Sequence, residues 1–188
     1  MKKYITTTFI VFAAFAANAQ VSIGGKQSVE GDNDSTLLDF NSDSKGNKVA
    51  GTGANSQGII LPAVDNTANA LAATTSYNNG TFLFDKSDKK VKMYENGVWV
   101  DLSGEGNDTR LVINTSGESS AEQGAIIGSK TSNAKGILVL EHPEKAMILP
   151  RIANPHTTVK NPYAGMMGYD TVSKSLAVFD GENWHYWK

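Results

Sequence analysis

The stretch Gly165–Trp187, GMMGYDTVSKSLAVFDGENWHYW, decides the architecture, because Gly80–Leu102, GTFLFDKSDKKVKMYENGVWVDL, repeats its pattern without a gap. Aligning Asp85 with Asp170 sets an offset of 85 residues. The same offset pairs Val91 with Leu176, Met93 with Val178, Tyr94 with Phe179, Glu95 with Asp180 and Trp99 with Trp184. In the earlier copy Thr81–Asp85 alternates sides, Lys86–Lys89 turns, and Lys90–Glu95 runs back with Val91 and Met93 on one face. Asn96-Gly97 is a strong two-residue hairpin signal before Val98–Leu102, and Asp180-Gly181 stands near the same turn in the later copy. Each copy is therefore expected to be a three-stranded meander. Three short strands bury too little to fold alone, so the meanders must pack on something.

Working outward, three further blocks recur in the same order. Val21-Ser22-Ile23-Gly24 is answered by Ala125-Ile126-Ile127-Gly128. Ser35–Phe40, STLLDF, is answered by Gly136–Glu141, GILVLE, and Gly58–Pro62, GIILP, by Ala146–Pro150, AMILP, at an offset of 88. The offsets differ because the loops do: Asn41–Gln57 fills a place where the second half has only His142–Lys145. Such a Gly, Ser and Asn insertion reads as a surface loop. Of the two connectors after the I-L-P blocks, Asn66–Thr75 admits a helical turn, whereas Asn154-Pro155 and Asn161-Pro162 argue against one. Arg110–Asn114 reads as a strand that could join either module.

The expected fold class is all-β: two homologous modules of short strands, each ending in the meander. The expected divisions are a signal peptide at 1–19, a first module at 20–103, a polar connector at 104–124 and a second module at 125–188.

The signal peptide is read from Met1-Lys2-Lys3, an apolar run from Ile5 to Ala17, and the small-residue site Ala17-Asn18-Ala19 before Gln20. That run is too short to span a bilayer, so no transmembrane segment is expected after processing. The chain holds no cysteine, which excludes disulfides and leaves burial or association to stabilise it. Net charge −2 and pI near 5.9 give no basic field, which argues against a nucleic-acid partner.

Little in the sequence points to catalysis. Asp39, Asn41 and Asp43 are spaced like the first ligands of a calcium loop. Ser44 stands where that loop needs Gly, however, and Ala50 where it needs Glu, so no metal is expected. Gly51, Gly53 and Gly58 lack the Lys-Ser/Thr of a phosphate loop, and His142, His156 and His185 stand apart without ligand spacing. No cofactor and no catalytic residue are assigned. A hydrolase is carried only as a third class, assembled from distant residues. The aromatics are the better candidates: Trp99, Trp184, Tyr186 and Trp187 lie at or near the last meander strand, where they could stack on a sugar ring or a partner protein. The equivalence of Trp99 and Trp184 favours a shared core role. Tyr186 and Trp187 face Asp101 and Leu102 in the alignment and are the expected exposed surface.

Taken together, V-x-I-G, an apolar strand ending near an acid, the I-L-P block, G-Y-D at Gly168-Tyr169-Asp170, Leu176–Gly181 and Trp184 resemble modules repeated in secreted Bacteroidota proteins and in tailed-phage fibre-like proteins. The resemblance implies a non-enzymatic exported protein of the envelope or cell surface that acts by assembly or protein binding. It also implies a possible homotrimer and an envelope or surface protein partner. The alternative is a carbohydrate-binding adhesin holding a glycan on the C-terminal aromatics. Neither the β-rich sorting domain nor the self-cleaving tail of such relatives is evident, so the expected locations are periplasm, outer-membrane-associated or cell surface. Asp34-Ser35-Thr36 and Asp170-Thr171-Val172 resemble the short O-glycosylation site of that phylum, which makes Ser35 and Thr171 candidate acceptors.

Overall fold

The computed structural model describes residues 21–23, 36–40, 45, 53–71, 76–111, 124–134 and 136–188. The expected signal peptide, the candidate Ser35 and the loop residues Asn41 and Asp43 lie outside them. The chain is all-β. In order the strands are β1 (Val21–Ile23), β2 (Thr36–Phe40), β3 (Ile59–Ile60), β4 (Ala63–Val64), β5 (Thr81–Asp85), β6 (Lys90–Glu95) and β7 (Val98–Asp101). They continue as β8 (Ala125–Ile127), β9 (Leu138–Leu140), β10 (Ala146–Met147), β11 (Arg151–Ile152), β12 (Met166–Asp170), β13 (Ser175–Phe179) and β14 (Trp184–Trp187).

Both meanders form from the alternation and turn chemistry that predict them. β5, β6 and β7 pair antiparallel in sequence, with Phe84 opposite Val91 and Tyr94 opposite Trp99. β12, β13 and β14 do the same, with Tyr169 opposite Leu176 and Phe179 opposite Trp184. Asn96 and Gly97 both take positive φ, 50° and 86°, the backbone a twisted two-residue hairpin requires. The longer turns end alike, on Lys89 at φ 58° and Lys174 at φ 57°.

Other bonds recur as well. Gly80 N–H donates to the Tyr94 carbonyl and Gly165 N–H to that of Phe179, each at 2.8 Å. A two-residue strand lies parallel against the C-terminal half of each leading strand: β4 on β5 and β11 on β12. Accordingly, Phe84 N–H donates to the Pro62 carbonyl at 2.9 Å and Tyr169 N–H to that of Pro150 at 2.8 Å. The parallel ribbons β1–β2 and β8–β9 complete the correspondence, but their registers place Leu38 level with Leu138 and Phe40 with Leu140. That is one residue away from the alignment by apolar run, because backbone pairing to the preceding strand sets the register.

The I-L-P strands cross over. β3 pairs antiparallel with β12, Ile60 opposite Met166 and Ile59 opposite Met167, and Leu61 N–H donates to the Gly165 carbonyl at 3.0 Å. β10 pairs parallel with β2, and Ile148 N–H donates to the Leu38 carbonyl at 2.9 Å. Each half of the chain thus places its third strand on the other half. The main core lies where they meet: Leu61, Phe84, Val91 and Leu102 pack with Ala164, Met167 and Val178. At about 25 cal/mol per Å2 of apolar surface, this shared burial supplies what either meander alone lacks.

Two local expectations fail. The second connector does hold a helix, α1 (Pro155–Thr158). Pro155 sits in its first turn, where the missing N–H has no helical partner to lose and the fixed φ is already suitable, while Asn154 takes the left-handed turn at φ 49°. The expected strand at Arg110–Asn114 does not begin, since Thr109 and Arg110 form a turn and Leu111 is outside any strand; Val112–Asn114 are not described. Among the described residues the first connector carries 3-10 turns at Thr67–Asn69 and Ser76–Asn78.

Candidate assembly surface

The four candidate aromatics divide into two environments. Trp99 and Trp184 are half-buried at equivalent positions, and each meets the aromatic opposite it: Trp99 with Tyr94 at 5.2 Å between centroids, Trp184 with Phe179 at 5.3 Å. Tyr186 and Trp187 are more open, 38% and 43% exposed, but both polar ends are engaged. The Tyr186 hydroxyl lies 2.9 Å from His156 Nδ1, and Trp187 Nε1 donates to the Leu102 carbonyl at 2.6 Å. Burial and the negative charge of Asp170 push the Tyr186 hydroxyl above its ordinary pKa, so it stays protonated and able to donate. The structure does not join the four into one platform: each tryptophan of the equivalent pair caps its own meander, and Tyr186 and Trp187, adjacent on β14, project to opposite faces of the sheet, one toward His156 and the other toward Leu102.

Three buried carboxylates brace the turns, and their role was not read from the sequence. Asp85 accepts from Ser87 N–H at 2.9 Å and Ser87 Oγ at 2.7 Å, with Lys92 Nζ at 3.4 Å. Asp170 Oδ1 accepts from the Asn154 and Val172 amides, each at 3.0 Å, and Oδ2 from Ser173 Oγ at 2.7 Å. Burial alone would raise both carboxyls. In each case the serine hydroxyl and amides outweigh it, joined for Asp85 by the Lys92 charge, and hold the pKa below the usual range. Asp180, fully enclosed, accepts from the amides of Glu182 at 2.8 Å and Asn183 at 2.6 Å, with His185 Nε2 at 2.6 Å. Its carbonyl receives Asn107 N–H, which ties the start of the connector to the second meander. These carboxylates are dispersed turn braces rather than a metal cluster. Among the described residues no group of three or more His, Cys, Asp or Glu converges on a metal position.

Thr171, the described glycosylation candidate, is in the β12–β13 turn and its Oγ1 donates to the Lys45 carbonyl at 2.9 Å. Among the described residues no helix is long and apolar enough to cross a membrane.

What stands out instead is apolar surface left open along strand edges. Ile60 on β3 is 57% exposed, Ile137 just before β9 is 71% exposed and Leu138 on β9 is 49% exposed. Their counterparts differ sharply, since Leu37 and Leu38 on β2 are each only 1% exposed. The corresponding strand residues Leu37 and Leu38, and Ile137 and Leu138, are covered unequally. That inequality cannot be seen in the sequence, because it depends on which neighbour a strand finds.

Residues 126–188 match a protein-family model described as a phage tail like trimerisation region. This similarity covers β8 to β14 apart from Ala125, and so includes the whole second meander with its aromatic end. Neither the curated proteins nor the solved structures contain a match to the chain.

Proposed function

We propose that this protein is a non-enzymatic, fibre-like structural component that works by self-association, with the homotrimer as its assembled form. The observation that carries this reading is the likeness of residues 126–188 to a phage tail like trimerisation region. The unequal covering of corresponding strands supports it, because apolar edges such as Ile137 and Leu138 are costly in an isolated chain and useful in an assembly. A cysteine-free chain also gains stability from association, as mass action rewards anything that binds only the folded state.

We further propose that 20–103 and 125–188 are two copies of one module joined by the connector 104–124, and that the protein is exported by its N-terminal segment to the envelope or cell surface, where it meets a protein partner. Light scattering on the protein starting at Gln20 tests the assembly: a mass of three chains is expected, and a single-chain mass at every concentration refutes it. Protease shaving of intact cells tests the location, since a periplasmic protein survives and a surface protein is digested.

The adhesin reading keeps one favouring observation, the open Tyr186 and Trp187 at the end of β14. If Trp187→Ala leaves binding to a glycan array unchanged, or if no glycan binds the parent, that reading falls and the assembly reading stands.

A further inference from the structure

The contact between the two halves of the chain is left half-finished at both ends, and the unused halves fit each other. In the first half, β3 lies on the N-terminal part of β12. Leu61 N–H reaches the Gly165 carbonyl, and Leu61 covers Gly165 closely enough that a Cβ there would sit 3.6 Å from the Leu61 Cβ. The counterpart of β12 is β5, and the counterpart of Gly165 is Gly80, with nearly the same φ of 84° against 81°. Nothing among the described residues pairs with β5 there. β4 reaches only Phe84 and Asp85, and a Cβ on Gly80 would meet nothing within 4 Å.

The strand that could fill this vacancy is β10, the counterpart of β3. Backbone N–H groups alternate between the two edges of a strand. The Ile148 N–H points to β2, where it bonds the Leu38 carbonyl. Continuing that alternation past the end of β10 would turn the Leu149 N–H to the opposite edge, the edge used by its counterpart Leu61, whose N–H bonds the Gly165 carbonyl. The reciprocal holds for β3: its Leu61 N–H is used, and the Ile60 N–H, counterpart of Ile148, faces away from β12 on the side where β2 would stand. The counterpart of β2 is β9, whose edge away from β8 pairs with no described strand and which holds the exposed Leu138 after the exposed Ile137.

We infer that the second half of one chain binds the first half of another copy by repeating the intramolecular contact. β10 adds antiparallel to the Thr81–Phe82 edge of β5 in the second copy, with Leu149 N–H on the Gly80 carbonyl. At the same time β3 of that copy adds parallel to β9. Met147 to Leu149 is the span available: Gly58 approaches β12 so closely that a Cβ would fall 2.6 Å from the Met167 carbonyl, and its counterpart Ala146 carries one. The interface is heterologous, donor edge to acceptor edge, so it yields a closed ring only if its rotation closes. This inference rests on the proposed self-association and names the surfaces that would produce it.

Site-directed crosslinking tests it, helped by the absence of native cysteine. Ile60 opposite Met166 is a pair without direct hydrogen bonds, flanked by the Leu61–Gly165 bond, and such pairs bring Cα atoms to about 4.5 Å, within disulfide range. The intermolecular counterpart is Ile148 opposite Thr81. A tagged Thr81→Cys chain is co-expressed with an untagged Ile148→Cys chain and oxidised. The control replaces Thr81→Cys by Glu105→Cys, exposed beside the Lys86–Lys89 turn at the opposite end of the β5–β6 hairpin from Thr81. Circular dichroism confirms folding of each variant, and light scattering reports its mass. A disulfide-linked pair of tagged and untagged chains at least about tenfold above control is expected. If the variants scatter as trimers but the Thr81–Ile148 pair links no better than the control, the edge assignment is wrong and the trimer survives. If all variants and the parent scatter as monomers, self-association and the edge assignment fail together.

Discussion

Replacing Asp170 with Ala should destabilise the chain by about 2–4 kcal/mol, more than any exposed substitution in the same turn. The carboxylate is only 2% exposed, and it holds two segments together through three donors: the Asn154 amide ahead of α1, and the Val172 amide and Ser173 hydroxyl of the β12–β13 turn. A hydrogen bond to a charged group contributes roughly 1.5–3 kcal/mol. Val172 and Ser173 regain water when the acceptor is lost, so most of the cost comes from the half-buried Asn154 amide and the emptied space. In a chain of this size each kcal/mol shifts Tm by about 2–4 °C, so calorimetry should show a fall of roughly 4–16 °C. The Asp170→Asn variant keeps the Oδ1 acceptor and should lose less, about 1–2 kcal/mol. It also carries the pH signature. The folded-state pKa of Asp170 is depressed, so its contribution is fully present above the unfolded value and disappears as pH falls through the folded one. Acid unfolding below about pH 4 should therefore flatten in Asp170→Asn relative to the parent. If Asp170→Ala costs no more than Val172→Ala, whose side chain is exposed, the bracing role is refuted.

Tyr94→Phe should be neutral or stabilising by about 1 kcal/mol, because the buried hydroxyl has no partner among the described residues and an unmade hydrogen bond is a penalty; the counterpart Phe179 already omits it, and a clear drop in urea midpoint would contradict this. Trp187→Phe should cost about 1 kcal/mol by removing the Nε1 bond to Leu102 while keeping a ring, and an unchanged melting curve would show that bond to be inconsequential. Asp101→Asn, which breaks the pairs with Lys90 at 2.7 Å and Lys92 at 3.5 Å on a solvated edge, should change stability by less than about 1 kcal/mol; a larger loss in a denaturant titration would overturn the surface assignment.

The meanders were legible because their information is local. Period-two alternation, Asn96-Gly97 and the acid before each four-residue turn are written in adjacent residues, and the 85-residue offset carries over to bonds as small as Gly80 to Tyr94 and Gly165 to Phe179. α1 was missed because Pro155 argues against a helix only in its interior, and the sequence does not reveal that Pro155 opens one. The one-residue shift between Leu38 and its counterpart was missed because an apolar run aligns as well at one register as at the next. The crossed placement of β3 and β10 was beyond local reading altogether. Gly-Ile-Ile-Leu-Pro and Ala-Met-Ile-Leu-Pro look alike, yet one lies on a meander and the other on a parallel ribbon, and that choice depends on long-range neighbours. Among the site residues, the Asp180 carboxylate beside His185 gave no signal in the sequence beyond its Asp-Gly turn.

Native mass spectrometry on co-refolded unlabelled and 15N-labelled chains tests the central claim, self-association into threes, most directly. Trimers should give four mass species, from all-light to all-heavy, with every species at three chain masses. Two species at one chain mass, persisting at the highest concentration reached, would contradict it.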